Sequence, residues 1–439
     1  MQNAGSRIAL LRPDLWVAVF AVALIVGHAA MFHFSKAPTP LAHIRGLDPP
    51  RYFGTAHSLL FDRDFDLTNE FAVLDPKRPE PGMGGFEGVH GQPGSPYAIG
   101  YSLLSLPFLA AGTAVDALCG RAPNGYGQAA VFSFLLANIV FTIIGLWLLG
   151  KFLQEVGLSA PAAAGISLSL WFATSVGFYS LLPMSHASTF MMSSAFLLIW
   201  WKIRERNDIK AYVGLGACGG LLAMCRWQDA LFLAGPFLAE AFQGKNVFKN
   251  YRKWACYGAA AVVVFIPQMI QWKVLYGGFV TMPQGSGFVQ LPPHFIPDVL
   301  FSTNHGWFVW TPVTFLGVAG LLFGACCHAR YLWAWVIVLA LEVSVIGSMP
   351  QNWFCGDSFG IRSLNSCIPL AGLGIGILIL HSRTIARRAL AAAVTACMIF
   401  TTLFALQTSL YMIPRVGDLT VHQILWGKLR VIEVIRHKV

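Results

Sequence analysis

Charge is what this chain has least of. Asp, Glu, Lys and Arg make up 11% of its 439 residues, under half the share of an ordinary soluble domain. Acidic residues are the scarcer sign, 20 against 30 basic. So few charges cannot solvate the surface of a chain this long, which excludes soluble globular enzymes, disordered regions, coiled coils and soluble nucleic-acid binders; no nucleic-acid partner is expected. Cysteine also lacks pattern: nine residues, an odd number, with no C-x-x-C spacing and mostly inside apolar stretches. There a thiol behaves as a small hydrophobe. Neither a disulfide framework nor a zinc motif follows.

What is present is apolar length. Hydrophobic residues make up 56% of the chain and mean hydropathy is +0.61. Apolar spans fall near 14–34, 128–150, 159–180, 187–201, 211–225, 228–243, 254–272, 306–326, 331–348, 363–380 and 389–411. Most are long enough to cross about 30 Å of hydrocarbon as a helix. The expectation is an all-α polytopic membrane protein with about eleven transmembrane helices. The first span follows Arg7 and Arg12 as a signal sequence would, but its apolar run is too long and no A-x-A site follows, so it reads as an uncleaved helix.

One further stretch, 97–119, is apolar but interrupted by Gly100, Pro107, Gly112 and Asp116. If it crosses, the clusters Lys202, Arg204, Arg206, Lys210 and Arg383, Arg387, Arg388 fall outside, against the positive-inside rule. If it is re-entrant or lies in the interface, Arg7, Arg12, Lys151, both clusters, Lys245, Lys249, Arg252, Lys253 and Arg330 all share the inner side. The second arrangement is expected. It places the N-terminus in the cytoplasm and makes 35–127 a first extracytoplasmic loop with juxtamembrane helices. Residues 412–439 become an extracytoplasmic C-terminal tail, all within a single domain, 1–439.

Under that parity His186, Arg226, Asp229, Asn304, His305, Asp357 and Arg362 gather at the outer ends of helices. Polar groups at membrane depth are costly and tend to line a cavity, so their convergence marks a site. In the first outer loop, Asp48-Pro49-Pro50 starts a helix, with Tyr52, Phe53, Ala56, Leu59 and Leu60 at helical spacing. Two readings of Asp48 stand: a helix cap, or a general base at a cavity mouth. Asp62, Asp64 and Asp66 read as a solvated helix end, with a divalent ion the alternative. His90 and Tyr97 are placed at the same cavity by loop position. Trp227, Trp307, Trp310 and Trp353 read as interface anchors or as platforms for sugar rings. Glu342, inside a span, has no role in the sequence reading.

In order and context the chain resembles the GT-C class of bacterial membrane glycosyltransferases, the polyprenyl-phosphate-sugar-dependent group related to protein mannosyltransferases and aminoarabinose transferases. The resemblance runs through Asp48 with Arg51-Tyr52, Ser58-Leu59-Leu60 and Asp64-Phe65-Asp66-Leu67. It continues through Pro96-Tyr97-Ala98-Ile99-Gly100, Leu106-Pro107-Phe108, Met184-Ser185-His186, Arg226-Trp227-Gln228-Asp229, Asn304-His305-Gly306 and Gly356-Asp357-Ser358-Phe359-Gly360-Ile361-Arg362. Relatives often carry Asp-Glu where this chain has Asp48-Pro49, so a paired-carboxylate or metal role there lacks its second group.

The resemblance implies transfer of a sugar, with inversion, from a polyprenyl-phosphate donor to a lipid, glycan or protein acceptor at the outer face of the bacterial inner membrane. It implies Asp48 as base, and Arg226, Arg362 and His186 on the donor phosphate. Arg51, Tyr52, His90, Tyr97, Asp229, Asn304, His305 and Asp357 are the expected substrate contacts. Each has a structural alternative: an Arg at a helix end snorkels to headgroups, and His186 can be a satisfied interfacial histidine. Metal dependence stays open. A lipid-glycan transporter or flippase, and a glycan polymerase or ligase, are the competing functions; a transporter calls for polar residues on both faces or an inverted repeat, and the sequence has neither.

Overall fold

The computed structural model describes residues 13–35, 37–44, 46–74 and 86–438; Arg7, Arg12 and part of the 82–96 loop lie outside them. Among the described residues the regular structure is helical, with a single isolated bridge between Glu87 and Pro93. Helix α1 (Pro13–His33) leads to the first long loop, which holds α2 (Asp48–Phe61), α3 (Thr68–Leu74) and α4 (Gly100–Leu118). Then come α5 (Gln128–Glu155), α6 (Ala160–Ala173), the short α7 (Ser175–Tyr179), α8 (Ser185–Ile203) and α9 (Ile209–Cys225). A 3-10 turn, Trp227–Leu233, precedes α10 (Ala234–Phe242), followed by α11 (Tyr251–Tyr276), α12 (Ile296–Phe301) and α13 (Trp307–Trp310). The remainder is α14 (Val313–Cys327), α15 (Leu332–Gly347), α16 (Ile368–His381), α17 (Thr384–Ser409), α18 (Val421–Leu425) and α19 (Val431–Lys438).

All eleven apolar spans fall on helical segments. Among the described residues six helical stretches are long and apolar enough to cross a membrane by length and composition; one of them is α4, and α6, α9, α14 and α15 are shorter. The helices sort the loops onto two faces. On one, Lys202 pairs with Glu155 at 3.2 Å, Lys245 with Glu205 at 3.2 Å, Trp201 meets Tyr331, and His328 stacks on His381. The basic loops around 202–210, 245–253, 328–330 and 381–388 belong to this face, while Lys428 of the tail packs over Phe400 and Phe404 on the other side. On the other face lie the start of α2, the α6–α8 and α9–α10 junctions and the loop 349–361.

The placement of α4 follows from its two ends. Gly100 abuts Met224 and Cys225 at the cavity end of α9, while Asp116 accepts from the backbone N–H groups of Ala129 and Ala130 at the start of α5. Asn138, ten residues into α5, bonds the carbonyls of Tyr179 and Leu182 at cavity level, and Glu155 at the other end of α5 sits on the basic face. Both ends of α4 therefore lie on the cavity side. It is one continuous helix rather than a hairpin that dips in and returns.

Close approach between α14 and α16 rests on glycine. A Cβ on Gly374 would lie 1.8 Å from the carbonyl oxygen of Gly317, and one on Gly320 would lie 2.2 Å from that of Gly374. Small residues let membrane helices touch backbone to backbone. Because α16 continues from Arg362 and its turn, this contact also sets the position of that arginine. Gly374→Val is expected to separate the helices at a cost of at least about 2 kcal/mol, seen as a lowered thermal unfolding midpoint in detergent. A wild-type midpoint would show that the packing is not tight there.

Candidate active site

Asp48 is the first residue of α2, and Pro49 and Pro50 fill the first turn, where a missing N–H costs nothing. Its carboxylate is not spent on capping. Oδ2 pairs with Arg362 Nη2 at 2.9 Å, and Oδ1 accepts from the Tyr97 hydroxyl. Tyr97 stacks on Tyr52, whose own hydroxyl donates to Ser185 Oγ at 3.0 Å. Burial pushes the Tyr52 phenol up to about 12 and Tyr97 well above its ordinary value, so both remain neutral donors at physiological pH.

Arg362 reaches this point through the loop 349–361, where Cys355, Gly356 and Gly360 take left-handed φ of 63°, 67° and 62°. At Gly360 this turn carries the chain back toward α16. The guanidinium also lies 3.8 Å from Met184 Sδ through Nη1 and over the Tyr179 ring. Beside it, Arg226 leaves the end of α9 in extended conformation and donates to Ser363 Oγ at 2.8 Å and to His186 Nδ1 at 3.3 Å. An arginine N–H can only donate, so Nδ1 is the accepting nitrogen and His186 is the neutral Nε2–H tautomer. In this arrangement His186 orients Arg226 rather than adding a positive charge.

These groups line one cavity of about 1180 Å³. Asp48, Arg51, Tyr52, Tyr97, His186, Arg226, Asp357 and Arg362 all contribute to its wall, with Arg415 from the tail. Among the described residues four guanidinium groups face two carboxylates, so this wall favours an anion. Arg51 donates to Leu47 O at 3.4 Å and lies over Phe86. Asp357 pairs with Arg415 at 3.5 Å, not with Arg362. Trp171, Phe172, Ala405 and Leu406 form an apolar wall from α6 and α17.

Four expected contacts do not line the cavity. His90 is exposed in a turn whose backbone is held by Gln92. Asp229 is buried one layer behind Arg226, where it accepts from Ser366 Oγ at 2.8 Å; the 3-10 turn rotates it inward and presents Gln228 instead. Asn304 accepts from the backbone of Gly417 and anchors the tail, and His305 lies 2.7 Å from the Phe354 carbonyl, joining two loops behind the cavity. Glu342 gains an account as well: Gln228 Nε2 donates to it at 3.3 Å in the same buried layer. Of the tryptophans, Trp227 reaches the cavity, Trp307 and Trp310 are core, and Trp353 stacks on Phe295. Ser363 was missed, and Met184 and Ser185 entered only as neighbours of His186, because serine and methionine carry no distinctive sequence signal in apolar runs.

His305 gives the fold a pH dependence. Burial pushes its imidazole down to about 4, against about 6.5 in an unfolded chain. The unfolded state then binds the proton first, so stability is full above about pH 6.5 and declines as pH falls toward 4, by up to about 3 kcal/mol from this group. His305→Asn keeps a residue tolerant of the positive φ of 71° and should flatten the dependence of unfolding midpoint on pH between 4.5 and 7. An unchanged slope would remove His305 as its source.

No protein-family model matches the chain, and no curated protein matches it. Solved structures do. ArnT from Cupriavidus metallidurans in the apo state superposes with a TM-score of 0.51 at 13% identity, covering 95% of this chain and 74% of that one. Two structures of the Archaeoglobus fulgidus oligosaccharyltransferase, one apo and one of AglB with an inhibitory peptide and a dolichol-phosphate, give 0.47 and 0.45 at 11% and 12% identity. Each of these covers 92% of this chain, which spans 57% of their length. The chain has the GT-C fold that it shares with ArnT.

Proposed function

We propose that the protein is an inverting glycosyltransferase that moves a sugar from a polyprenyl-phosphate donor to an acceptor hydroxyl or amine at the cavity. The observation that carries this reading is the Asp48–Arg362 pair at 2.9 Å inside a cavity that also holds Arg226. A base and a phosphate-binding cation stand side by side, as a single displacement requires. Donor phosphate enters against Arg226 and Arg362 and competes with Asp48 for the Arg362 guanidinium. The displaced carboxylate then takes the proton of the acceptor as the acceptor oxygen or nitrogen bonds to the anomeric carbon. The bond from that carbon to the phosphate oxygen breaks on the opposite side, and the electron pair leaves with polyprenyl phosphate, whose growing charge the two guanidinium groups neutralise. The apolar wall of Trp171, Phe172, Ala405 and Leu406 suits the isoprenoid chain.

The basic face opposite the cavity supports an orientation with that face in the cytoplasm and the cavity outside, in a bacterial inner membrane. Residues 1–439 then act as one catalytic domain, with 35–127 and 412–439 outside. The acceptor is a lipid, a glycan or a protein that presents a hydroxyl or amine at the cavity. The test is purified protein in proteoliposomes with polyprenyl phosphate bearing a radiolabelled sugar, assayed against an envelope extract. A new glycosidic linkage is expected. Lipid movement across the bilayer without one would establish a transporter instead, and activity confined to oligosaccharide donors would establish a polymerase or ligase.

A further inference from the structure

We propose that His57, Asp62 and Glu70 bind one divalent transition-metal ion, of the Zn²⁺ or Mn²⁺ type, at the far end of the helix that presents Asp48. One donor atom from each of the three lies within 4.8 Å of the others. Tetrahedral ligand atoms on bonds of about 2.1 Å sit about 3.4 Å apart, a spacing that side-chain rotation reaches from here.

The imidazole is prepared for such a role. His57 Nε2 lies 2.9 Å from the backbone carbonyl of Asn124, which can only accept, so Nε2 carries a proton. Nδ1 faces inward, 3.0 Å from Glu70 Oε1. Stacking on Tyr126 and Phe61 fixes the ring plane. A histidine ligand oriented through its other nitrogen by a carbonyl is the usual outer support of a metal site.

Glu70 supplies the independent sign of a missing partner. Its side chain is 0% exposed; among the described residues its Oε2 receives no N–H or O–H donor, and its carboxyl group lies within hydrogen-bonding reach of that of Asp62. A buried carboxylate oxygen without a donor is costly, and a cation between it, Nδ1 and Asp62 removes that cost. Asp62 is exposed, with Oδ2 held by Asn69 at 2.9 Å, which gives the ion a path from solvent and leaves room for water as a further ligand. Imidazole beside two carboxylates selects transition ions over Mg²⁺ or Ca²⁺. Neighbouring Asp64 and Asp66 are already used: Ser58 Oγ donates to Asp64, and Asp66 accepts from the backbone N–H of Thr68.

Asp48 and His57 are nine residues apart on α2, about 13 Å along the axis. The ion would not touch reacting atoms. It would tie the end of α2 to α3 and, through His57, to the loop carrying Asn124, and so hold the helix that aims Asp48. The inference is independent of the proposed transfer reaction, because its test reads metal and not turnover.

Full-length protein in detergent, stripped with EDTA and dialysed, is titrated separately with Zn²⁺ and Mn²⁺ and assayed for bound metal and unfolding midpoint. Wild type and Asp48→Asn should each retain one ion of at least one of the two metals and unfold at higher temperature with it. Asp62→Asn, an exposed change that cannot disturb the core, and Glu70→Gln should bind at least about tenfold more weakly and lose the shift. Stoichiometric binding of neither ion overturns the proposal and leaves the His57–Glu70 contact as a packing feature of the loop. Undiminished binding by Asp62→Asn, or loss of the ion in Asp48→Asn, overturns it by placing the metal elsewhere.

Discussion

Replacing Asp48 by Asn should lower kcat by about a thousandfold, the usual worth of a positioned general base, while donor affinity rises. The two effects have opposite signs because Asp48 is bound to the group the donor needs. Its Oδ2 holds Arg362 at 2.9 Å, so in the absence of substrate the carboxylate occupies the place of a phosphate oxygen. Asn keeps the shape and the contact with Tyr97 but releases the guanidinium from a charge-assisted bond. Single-turnover kinetics and binding of polyprenyl phosphate, measured on the same preparation, separate the two quantities. Turnover close to wild type removes Asp48 as base. Lost turnover with weaker donor binding would mean that the ion pair builds the phosphate site rather than competing with it.

Arg362→Ala should cost about a hundredfold to a thousandfold in kcat/KM, the range for loss of a preorganised group that meets charge developing in the transition state. Here both binding and turnover fall. Alanine removes a cation and also leaves the Asp48 carboxylate unpaired in the cavity, where it repels the donor. Lysine at 362 restores charge without the planar fork and should recover only part of the loss. The decisive comparison is the double variant Asp48→Asn with Arg362→Ala. It should bind donor better than Arg362→Ala alone, because the repelling carboxylate is gone, and by a factor different from the gain that Asp48→Asn gives with Arg362 in place; equal gains in the two backgrounds would show that the two groups do not communicate.

Arg226 and Arg362 were legible as a group because each is a costly charge at the same end of an apolar helix; Asp48, at the start of a loop helix, joined them only through the family resemblance, and the cavity contains all three. His90 was assigned by loop position alone, and a turn puts it in solvent. Asp229 and Asn304 satisfied the same polarity rule, but polarity does not say which way a side chain points. The 3-10 turn after α9 sends Asp229 inward and Gln228 outward, and Asn304 is taken up by the backbone of the tail. The pairing of Asp357 with Arg415 needed a tail whose path no local pattern predicts.

The sequence by itself determined that the chain is a helical membrane protein whose polar groups collect on one face. A helix must satisfy its own backbone bonds in hydrocarbon and needs an apolar run to do so, and loop charge records the side on which each run ends. Tertiary structure alone decided that Asp48 and Arg362 form a pair, that His186 is a neutral support for Arg226, and that His57 meets Glu70 behind the site. Those contacts join segments far apart in the chain, or turn on the aim of single side chains, and depend on helix crossings set by glycine-to-carbonyl contacts of the Gly374–Gly317 kind.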